Sequence, residues 1–243
     1  MNTNSNFKGG TNNGGRSIDP DLAGAHTSLG ITYNFIGKHN EAIKALKQAI
    51  RFNPDYADTH NNLGLAYYNT GRYKDAIESF KQAIRIDPDD ANAHNNLGDA
   101  YKDSGKYKDA IESFKQAIRI DPDYAKAHKN LGSAYHELGK HEKAMESFKQ
   151  AVGAYKRIIR INPDDAGAHY NLGVAYGNLG KYKKAKESYK QAIRIDPDYK
   201  SAHYNLGITY LQINDRGSAI EQYKILKKLD TELANELFNL IYK

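Results

Sequence analysis

Residues 60–88 read HNNLGLAYYNTGRYKDAIESFKQAIRIDP, and this stretch decides the fold. It holds two runs in which apolar residues return every three or four positions, as they do along one face of a helix. The members of the two runs are Leu63, Ala66 and Tyr67, then Ala76, Ile77, Phe80, Ala83 and Ile84. Gly71 separates the runs as a helix stop, and Pro88 ends the second run because proline cannot continue a helix. The stretch therefore predicts a helical hairpin.

The same pattern recurs along most of the chain. Its glycine occurs at Gly30, Gly64, Gly98, Gly132, Gly173 and Gly207. Each of these glycines follows a leucine and precedes a tyrosine by three residues, and the step between copies is 34 residues except once. A single hairpin of this size cannot bury both of its apolar faces. Successive hairpins are therefore expected to stack into a solenoid with a continuous core.

The spacing of the most regular positions resembles the signature of the tetratricopeptide (TPR) repeat. In the third copy these positions are Leu97, Gly98, Tyr101, Ala110, Phe114, Ala117 and Pro122. The resemblance covers about residues 23–230 in six copies. It implies an all-α fold, a right-handed α-solenoid or superhelix of TPR helical hairpins. It also implies that the first helix of each hairpin lines a concave groove.

The repeats give the expected domain organisation. Six TPR repeats are predicted at residues 23–56, 57–90, 91–124, 125–165, 166–199 and 200–230. The fourth is seven residues longer, and the similar segments that begin at Phe148 and Tyr155 predict a second helix lengthened by a duplicated heptad.

The segments outside the six repeats carry three further expectations. Residues 1–15 are rich in Asn and Gly and predict a disordered leader. Residues 16–22 match the end of a preceding repeat, so they are interpreted as its remnant. Residues 231–243 predict a C-terminal capping helix, which closes the exposed end of the solenoid.

Composition argues against several function classes. The chain has no cysteine, so disulfides and thiolate chemistry are excluded. The net charge of +6 comes from basic residues interspersed with acidic ones, a pattern that argues against nucleic-acid binding. The sequence contains no phosphate-binding glycine loop and no catalytic triad or zinc-protease motif, so neither enzymatic activity nor a cofactor is expected. We find neither a signal peptide nor a membrane span, and a cytoplasmic location is the expectation.

Six of the nine histidines share one position of the repeat, and they are His26, His60, His94, His128, His169 and His203. Metal ligands usually lie a few residues apart on one element or converge from several. A residue that recurs once per repeat forms a ladder along successive helices instead. We therefore expect no metal site.

The resemblance to TPR proteins places a ladder of asparagines in the groove, namely Asn62, Asn96, Asn130, Asn171 and Asn205. An amide side chain both donates and accepts hydrogen bonds, so such a ladder can hold an extended peptide by its main chain. The ladder is similar to that of the O-linked N-acetylglucosamine transferase superhelix. The alternative remains open that asparagine is simply common at this position in TPR units of every function.

Other groove positions carried over from the family form a gradient. They are Asn61, Asn95 and Asp99 early, Lys126 and Lys129 in the middle, and Tyr170, Val174, Tyr204 and Ile208 late. A ligand with polar, acidic and apolar portions in that order would suit this gradient. The two-carboxylate clamp of the chaperone-binding TPR proteins is not reproduced, because Ser133 follows Lys129 where that clamp has asparagine.

The resulting hypothesis is a protein–protein interaction scaffold that binds another protein or an extended peptide in the groove. One alternative is a self-assembling scaffold of the organelle-coat or magnetosome-associated type, a homo-oligomer formed through the open face of the N-terminal repeat. Another is the targeting array of a larger enzyme such as a protein glycosyltransferase.

Overall fold

The computed structural model describes residues 11–12, 16–17 and 19–243. Two short strands, β1 (Thr11–Asn12) and β2 (Arg16–Ser17), pair in antiparallel fashion with Thr11 opposite Ser17. The remaining described residues form helices and their connections. The chain divides into two compact units, Met1–Pro122 and Asp123–Lys243, hereafter unit 1 and unit 2.

Unit 1 contains three helical hairpins. They are α1 (Pro20–Phe35) with α2 (His39–Phe52), α3 (Ala57–Asn69) with α4 (Tyr73–Ile86), and α5 (Ala91–Asp103) with α6 (Tyr107–Ile120). The second helix of each of the first two hairpins also packs against the first helix of the next hairpin.

Unit 2 contains three more hairpins and a final helix. They are α7 (Ala125–Glu137) with α8 (His141–Ile161), α9 (Ala166–Asn178) with α10 (Tyr182–Ile195), α11 (Lys200–Gln212) with α12 (Arg216–Leu229), and α13 (Thr231–Ile241). The all-α solenoid of helical hairpins that the sequence predicts is thus confirmed within each unit. None of the helices in the described residues is long and apolar enough to cross a membrane.

The turn inside each hairpin requires a left-handed residue. In the second hairpin Gly71 has φ 73°, its N–H donates to the carbonyl of Tyr68 at 2.9 Å, and the next N–H, of Arg72, donates to the carbonyl of Tyr67 at 2.9 Å. These two bonds are those of a Schellman motif, which satisfies the last carbonyls of the first helix. The sixth hairpin uses Asn214 at φ 60° instead, and asparagine is the other residue that tolerates this conformation.

The two helices of a hairpin approach most closely at the repeated glycine of the first helix. A Cβ atom at Gly98 would lie 2.5 Å from Cε1 of Phe114, which is fully buried on α6. Rings on the second helix fill the same place in the second, fourth and fifth hairpins, where they belong to Phe80, Phe148 and Tyr189. In the sixth hairpin the side chain against Gly207 is Leu237 of α13. The last helix therefore completes the core of the hairpin that precedes it.

The start of the array differs from the expectation for residues 16–22. Helix α1 begins at Pro20, and Asp19 caps it by accepting a hydrogen bond from the N–H of Leu22 at 3.1 Å. Proline is well suited to the first position of a helix, where its missing N–H costs nothing. The residues from Pro20 to Leu22, interpreted as the end of a preceding repeat, thus form the first turn of α1. Of the predicted leader, residues 1–10 and 13–15 lie outside the described residues, and residues 11–12 form β1.

The second helix of the fourth hairpin is the long one. Helix α8 has 21 residues, whereas α10 has 14. Phe148 and Tyr155, seven residues apart, are both buried, so the extension keeps its apolar face in the core. In α13 the buried residues are Ala234, Leu237 and Ile241, while Leu240 is 40% exposed.

A substitution at the repeated glycine tests this close approach. Gly98→Ala is expected to lower the free energy of unfolding by about 1–2 kcal/mol, because the new methyl group overlaps Phe114 and overpacking outweighs the better helix propensity of alanine. Gly24→Ala in α1 is the control, since no atom lies within 4 Å of its added Cβ, and we expect it to raise the free energy by up to about 1 kcal/mol. Urea denaturation followed by circular dichroism measures both, and a stabilising Gly98→Ala would show that the contact is loose.

Candidate functional site

We call the surface formed by the first helices of the hairpins the first-helix surface, and treat it separately in each unit. In unit 1 the Nδ2 of Asn96 on α5 donates to the Oδ1 of Asn61 on α3 at 3.1 Å. The hydroxyl of Tyr68 on α3 donates to the carboxylate of Asp103 on α5. The two members of each pair are 35 residues apart in the sequence, which is one repeat plus one residue. Side chains at this separation therefore link neighbouring first helices.

Two of the predicted groove asparagines are withdrawn from solvent. Asn95 is fully buried, and its Nδ2 donates to the Oδ2 of Asp99, one turn further along α5, at 3.3 Å. Asn130 is 6% exposed. The expectation that these two side chains contact a peptide is therefore wrong. Asn62 is half-buried and donates to the carbonyl of Asp58 in its own helix at 2.8 Å.

In unit 2 the predicted residues form bridges of the same kind. The Nζ of Lys129 on α7 donates to the Oδ1 of Asn171 on α9 at 2.9 Å, and the Nδ2 of Asn205 on α11 donates to the hydroxyl of Tyr170 on α9 at 3.0 Å. Lys126 on α7 is exposed, and Tyr204 on α11 is half-buried. Three members of the asparagine ladder, Asn96, Asn171 and Asn205, thus take part in hydrogen bonds between neighbouring first helices within one unit.

A pocket of about 320 Å³ opens between α9, α10 and α11. It is lined by Val174, Gly177, Asn178, Tyr182, Tyr189, Asn205, Ile208, Thr209 and Gln212. Three of the predicted groove residues, Val174, Asn205 and Ile208, meet in it. No lining residue is charged, so the pocket favours an uncharged group with an apolar body. We call it the α9–α11 pocket.

Six lining residues of the α9–α11 pocket were not predicted. They are Gly177, Asn178, Tyr182, Tyr189, Thr209 and Gln212. A signal for one of them is present in the sequence. At the repeat position of Gly177 the other hairpins have Asn34, Tyr68, Lys102, His136 and Leu211, so only the fifth of the six hairpins lacks a side chain there.

Burial keeps the phenols beside the pocket uncharged. It raises the pKa of Tyr189, and it also raises the pKa of Tyr170, where hydrogen bonds with Asn205 and Ser201 partly oppose the effect. The rings of Tyr170 and Tyr189 lie 5.9 Å apart between centroids. Since tyrosine ionises only near pH ~10 even when unperturbed, the α9–α11 pocket remains neutral throughout the physiological pH range.

Unit 1 has a cavity of similar size in a different place. It measures about 330 Å³ and is lined by residues of α2, α3 and α4, among them Lys47, Asp75 and Glu78. None of the predicted groove residues lines it. Its charged walls, and a lining supplied mostly by the second helices α2 and α4, distinguish it from the α9–α11 pocket.

Four of the six repeated histidines join one repeat to the next. The Nε2 of His60, His94, His169 and His203 lies 2.8, 3.0, 3.0 and 2.9 Å from the carbonyl oxygen of the proline six residues earlier, to which it donates. That proline follows the end of the preceding second helix. His203 is 3% exposed, and its Nδ1 also lies 2.8 Å from the Oε1 of Gln222. These rings are thus structural residues of the repeat junctions.

Two histidine variants test this junction. His203→Ala is expected to lower the free energy of unfolding by about 2–4 kcal/mol, because it removes two hydrogen bonds and leaves a buried space. His94→Ala is expected to cost only about 1 kcal/mol, because that ring is partly exposed and the Pro88 carbonyl can turn to water. Urea denaturation compares the two, and equal losses would contradict the difference in burial.

Comparison with known families matches sequence models of this repeat over most of the chain. A model described as TPR repeat matches residues 36–71, 66–105, 98–139 and 132–180. Two models described as tetratricopeptide repeat match residues 166–199 and 188–232. Comparison with curated proteins gave no significant match.

Several solved structures are similar. A thermophilic TPR protein of Thermus thermophilus, TTC0263, is 28% identical with a TM-score of 0.62, covering 76% of this chain and 98% of its own. The MamA protein is 28% identical with a TM-score of 0.51, covering 73% and 93%. The pilF protein of Pseudomonas aeruginosa is 21% identical with a TM-score of 0.63, covering 90% and 97%, and at that identity it supports the fold alone.

Proposed function

The chain belongs to the tetratricopeptide repeat family, and from that premise we propose that it is a protein-interaction scaffold that binds an extended segment of a partner on the first-helix surface of unit 2. Family membership supports a protein-interaction role in general. The α9–α11 pocket is the observation that carries the specific proposal, because it brings Val174, Asn205 and Ile208 together around an uncharged space of about 320 Å³. Pockets that take one anchoring side chain usually carry much of the binding energy of a peptide.

The surface next to the pocket suggests how the rest of the segment would bind. Lys126 is exposed on α7, and Lys129 reaches from α7 to Asn171 on α9. Carboxylates in the segment would be attracted to these ammonium groups, while the amides on α9 and α11 suit main-chain N–H and C=O groups. The proposed ligand therefore has an acidic portion over α7 and an apolar portion over α9 and α11.

Unit 1 offers less to such a ligand. The bridges from Asn61 to Asn96 and from Tyr68 to Asp103 link the side chains of its first-helix surface to one another. Bridges of the same kind occur in unit 2, but in unit 1 Tyr68 also fills the repeat position that Gly177 leaves open in the α9–α11 pocket. The proposal accordingly places the principal binding site in unit 2.

Selection of short random peptides displayed on phage tests the proposal. We expect the wild-type chain to select peptides that combine acidic and apolar residues. Their affinity, measured by fluorescence anisotropy, should fall about tenfold or more with Ile208→Lys, since this variant places a charge in a neutral pocket.

Ile161→Lys is the matched control for this experiment. This variant introduces the same lysine on α8, at a residue that is 82% exposed, so binding should not change. Failure to select any specific peptide would contradict the proposed function. Equal losses with both variants would contradict the assignment to the first-helix surface.

Self-association is a second candidate function, favoured by the exposed apolar residues of α1. Leu29 is 42% exposed, whereas the leucines at the same repeat position are 3–8% exposed, namely Leu63, Leu97, Leu131, Leu172 and Leu206. Phe35 is 91% exposed, and the residues at its repeat position in the other hairpins are polar. Exposed apolar residues of this kind are typical of a surface that contacts another protein.

Light scattering over a range of protein concentrations tests self-association. The wild-type chain is expected to form dimers or larger species, and the double variant Leu29→Ser with Phe35→Ser is expected to shift the mass toward the monomer, because it removes apolar area from α1. Ile161→Ser, at another exposed apolar residue, is the control and should leave the mass unchanged. A wild-type monomer at all concentrations would reject this candidate.

A further inference from the structure

We propose that the α9–α11 pocket is an anchor site for a tyrosine side chain of the partner segment. This inference rests on the proposed function and adds which residue of the partner the pocket binds. Three observations carry this inference. Gly177 has no structural reason to be glycine, the hydroxyl of Tyr189 has no partner among the described residues, and unit 1 holds a tyrosine of its own in the equivalent place.

Neither backbone conformation nor packing explains Gly177. Five glycines have positive φ among the described residues, all in the hairpin turns, and Gly177 is not one of them. A Cβ atom at Gly177 would meet only the hydroxyl of Tyr189, at 3.9 Å, which is an ordinary contact. By contrast, a Cβ at Gly173 in the same helix would lie 2.6 Å from the ring of Tyr189. The effect of glycine at position 177 is to leave the α9–α11 pocket open.

The hydroxyl of Tyr189 stands at the pocket without a partner. The ring is required, since it packs against Gly173, and Tyr189 as a whole is 4% exposed. The hydroxyl is not needed for this packing, because Phe80, Phe114 and Phe148 occupy the same position in three other hairpins. None of the described residues forms a hydrogen bond with it. A hydroxyl at a pocket wall favours a ligand that can donate or accept a hydrogen bond.

The equivalent place in unit 1 identifies the group that fits. Tyr68 occupies the repeat position of Gly177, and its ring packs on that of Tyr73 with centroids 5.7 Å apart. Its hydroxyl donates to Asp103 on the next first helix. The repeat positions of Tyr73 and Asp103 are occupied in the α9–α11 pocket by Tyr182 and Gln212.

A partner tyrosine can therefore make in unit 2 the contacts that Tyr68 makes within unit 1. Its ring would pack on Tyr182, and its hydroxyl would bond to the amide of Gln212 or to the hydroxyl of Tyr189. Ile208 stands at the repeat position of Asp99, whose charge acts on Tyr68 in unit 1. The α9–α11 pocket therefore carries less charge than the surroundings of Tyr68 in unit 1. This difference favours a neutral ring that the partner supplies.

The decisive variant is Gly177→Tyr, which gives α9 the residue that α3 has at Tyr68. It should fold, because the same residue already occupies this position in unit 1, and its ring should fill the pocket. Peptides selected by the wild-type chain are expected to contain a tyrosine. Gly177→Tyr should weaken their binding about tenfold or more, as expected for loss of an anchor. The control is His136→Tyr, the same residue at the same repeat position on α7, which should leave affinity unchanged.

A double-mutant cycle then separates the pocket from the rest of the surface. Replacing the peptide tyrosine by alanine should weaken binding to the wild type by a similar factor, and should have no further effect on Gly177→Tyr, because both changes remove one interaction. Replacement by phenylalanine should cost less than alanine but remain measurable, since only the hydroxyl is lost. If Gly177→Tyr does not fold by circular dichroism, Gly177→Leu takes its place, as Leu211 stands there in α11.

The outcomes distinguish this inference from the proposed function. Unchanged affinity with Gly177→Tyr, together with a loss for Ile208→Lys, would overturn the tyrosine anchor and leave peptide binding intact. Additive losses in the cycle would also overturn it. A wild-type chain that binds no selected peptide would instead overturn the proposed function, and the anchor with it.

Discussion

Each hairpin depends on the approach of its two helices at one glycine. Because a Cβ at Gly64 or Gly98 would lie 2.5 Å from a ring carbon of the facing helix, the helices come closer there than any other residue would allow. The large side chain at this contact is a phenylalanine or tyrosine in four hairpins, but a leucine from α13 lies against Gly207 in the sixth. The requirement is for an apolar group in that place, whichever element supplies it. For this reason α13 is part of the core of unit 2, and the exposed end of the sixth hairpin is closed by it.

The position of the second helices determines what the first helices can do. Within each unit, one face of a first helix packs against its own second helix and another lies beside the first helix of a neighbouring hairpin, where residues 35 positions apart come within hydrogen-bond reach. The asparagines therefore work first within the protein, where Asn96 binds Asn61 and Asn205 binds Tyr170. What remains for a ligand is the space between these bridges. In unit 2 that space is the α9–α11 pocket.

Helical periodicity and the recurring glycine and tyrosine were sufficient to predict an all-α solenoid of helical hairpins, because that fold depends on contacts inside one repeat. Exposure was less predictable. Asn61 and Asn95 share a repeat position, yet the first is half-buried and the second fully buried, since burial depends on residues from neighbouring repeats. The α9–α11 pocket was not predicted because it depends on the missing side chain at Gly177. A pattern of apolar and polar side chains does not reveal a space that a missing side chain leaves open.

In a repeat protein, residues required for folding recur in every copy, so a position that varies between copies is not fixed by the common fold. The position of Asn34, Tyr68, Lys102, His136, Gly177 and Leu211 is of this kind, and its residues range from a large aromatic ring to no side chain at all. Tyr189 shows the same distinction within one residue. Contact with Gly173 requires its ring, as it requires the phenylalanines of other hairpins, but nothing in that contact requires the hydroxyl. A hydroxyl that folding does not require, beside a glycine that folding does not require either, supports the proposed anchor site, because it offers the pocket a hydrogen bond that none of the described residues uses.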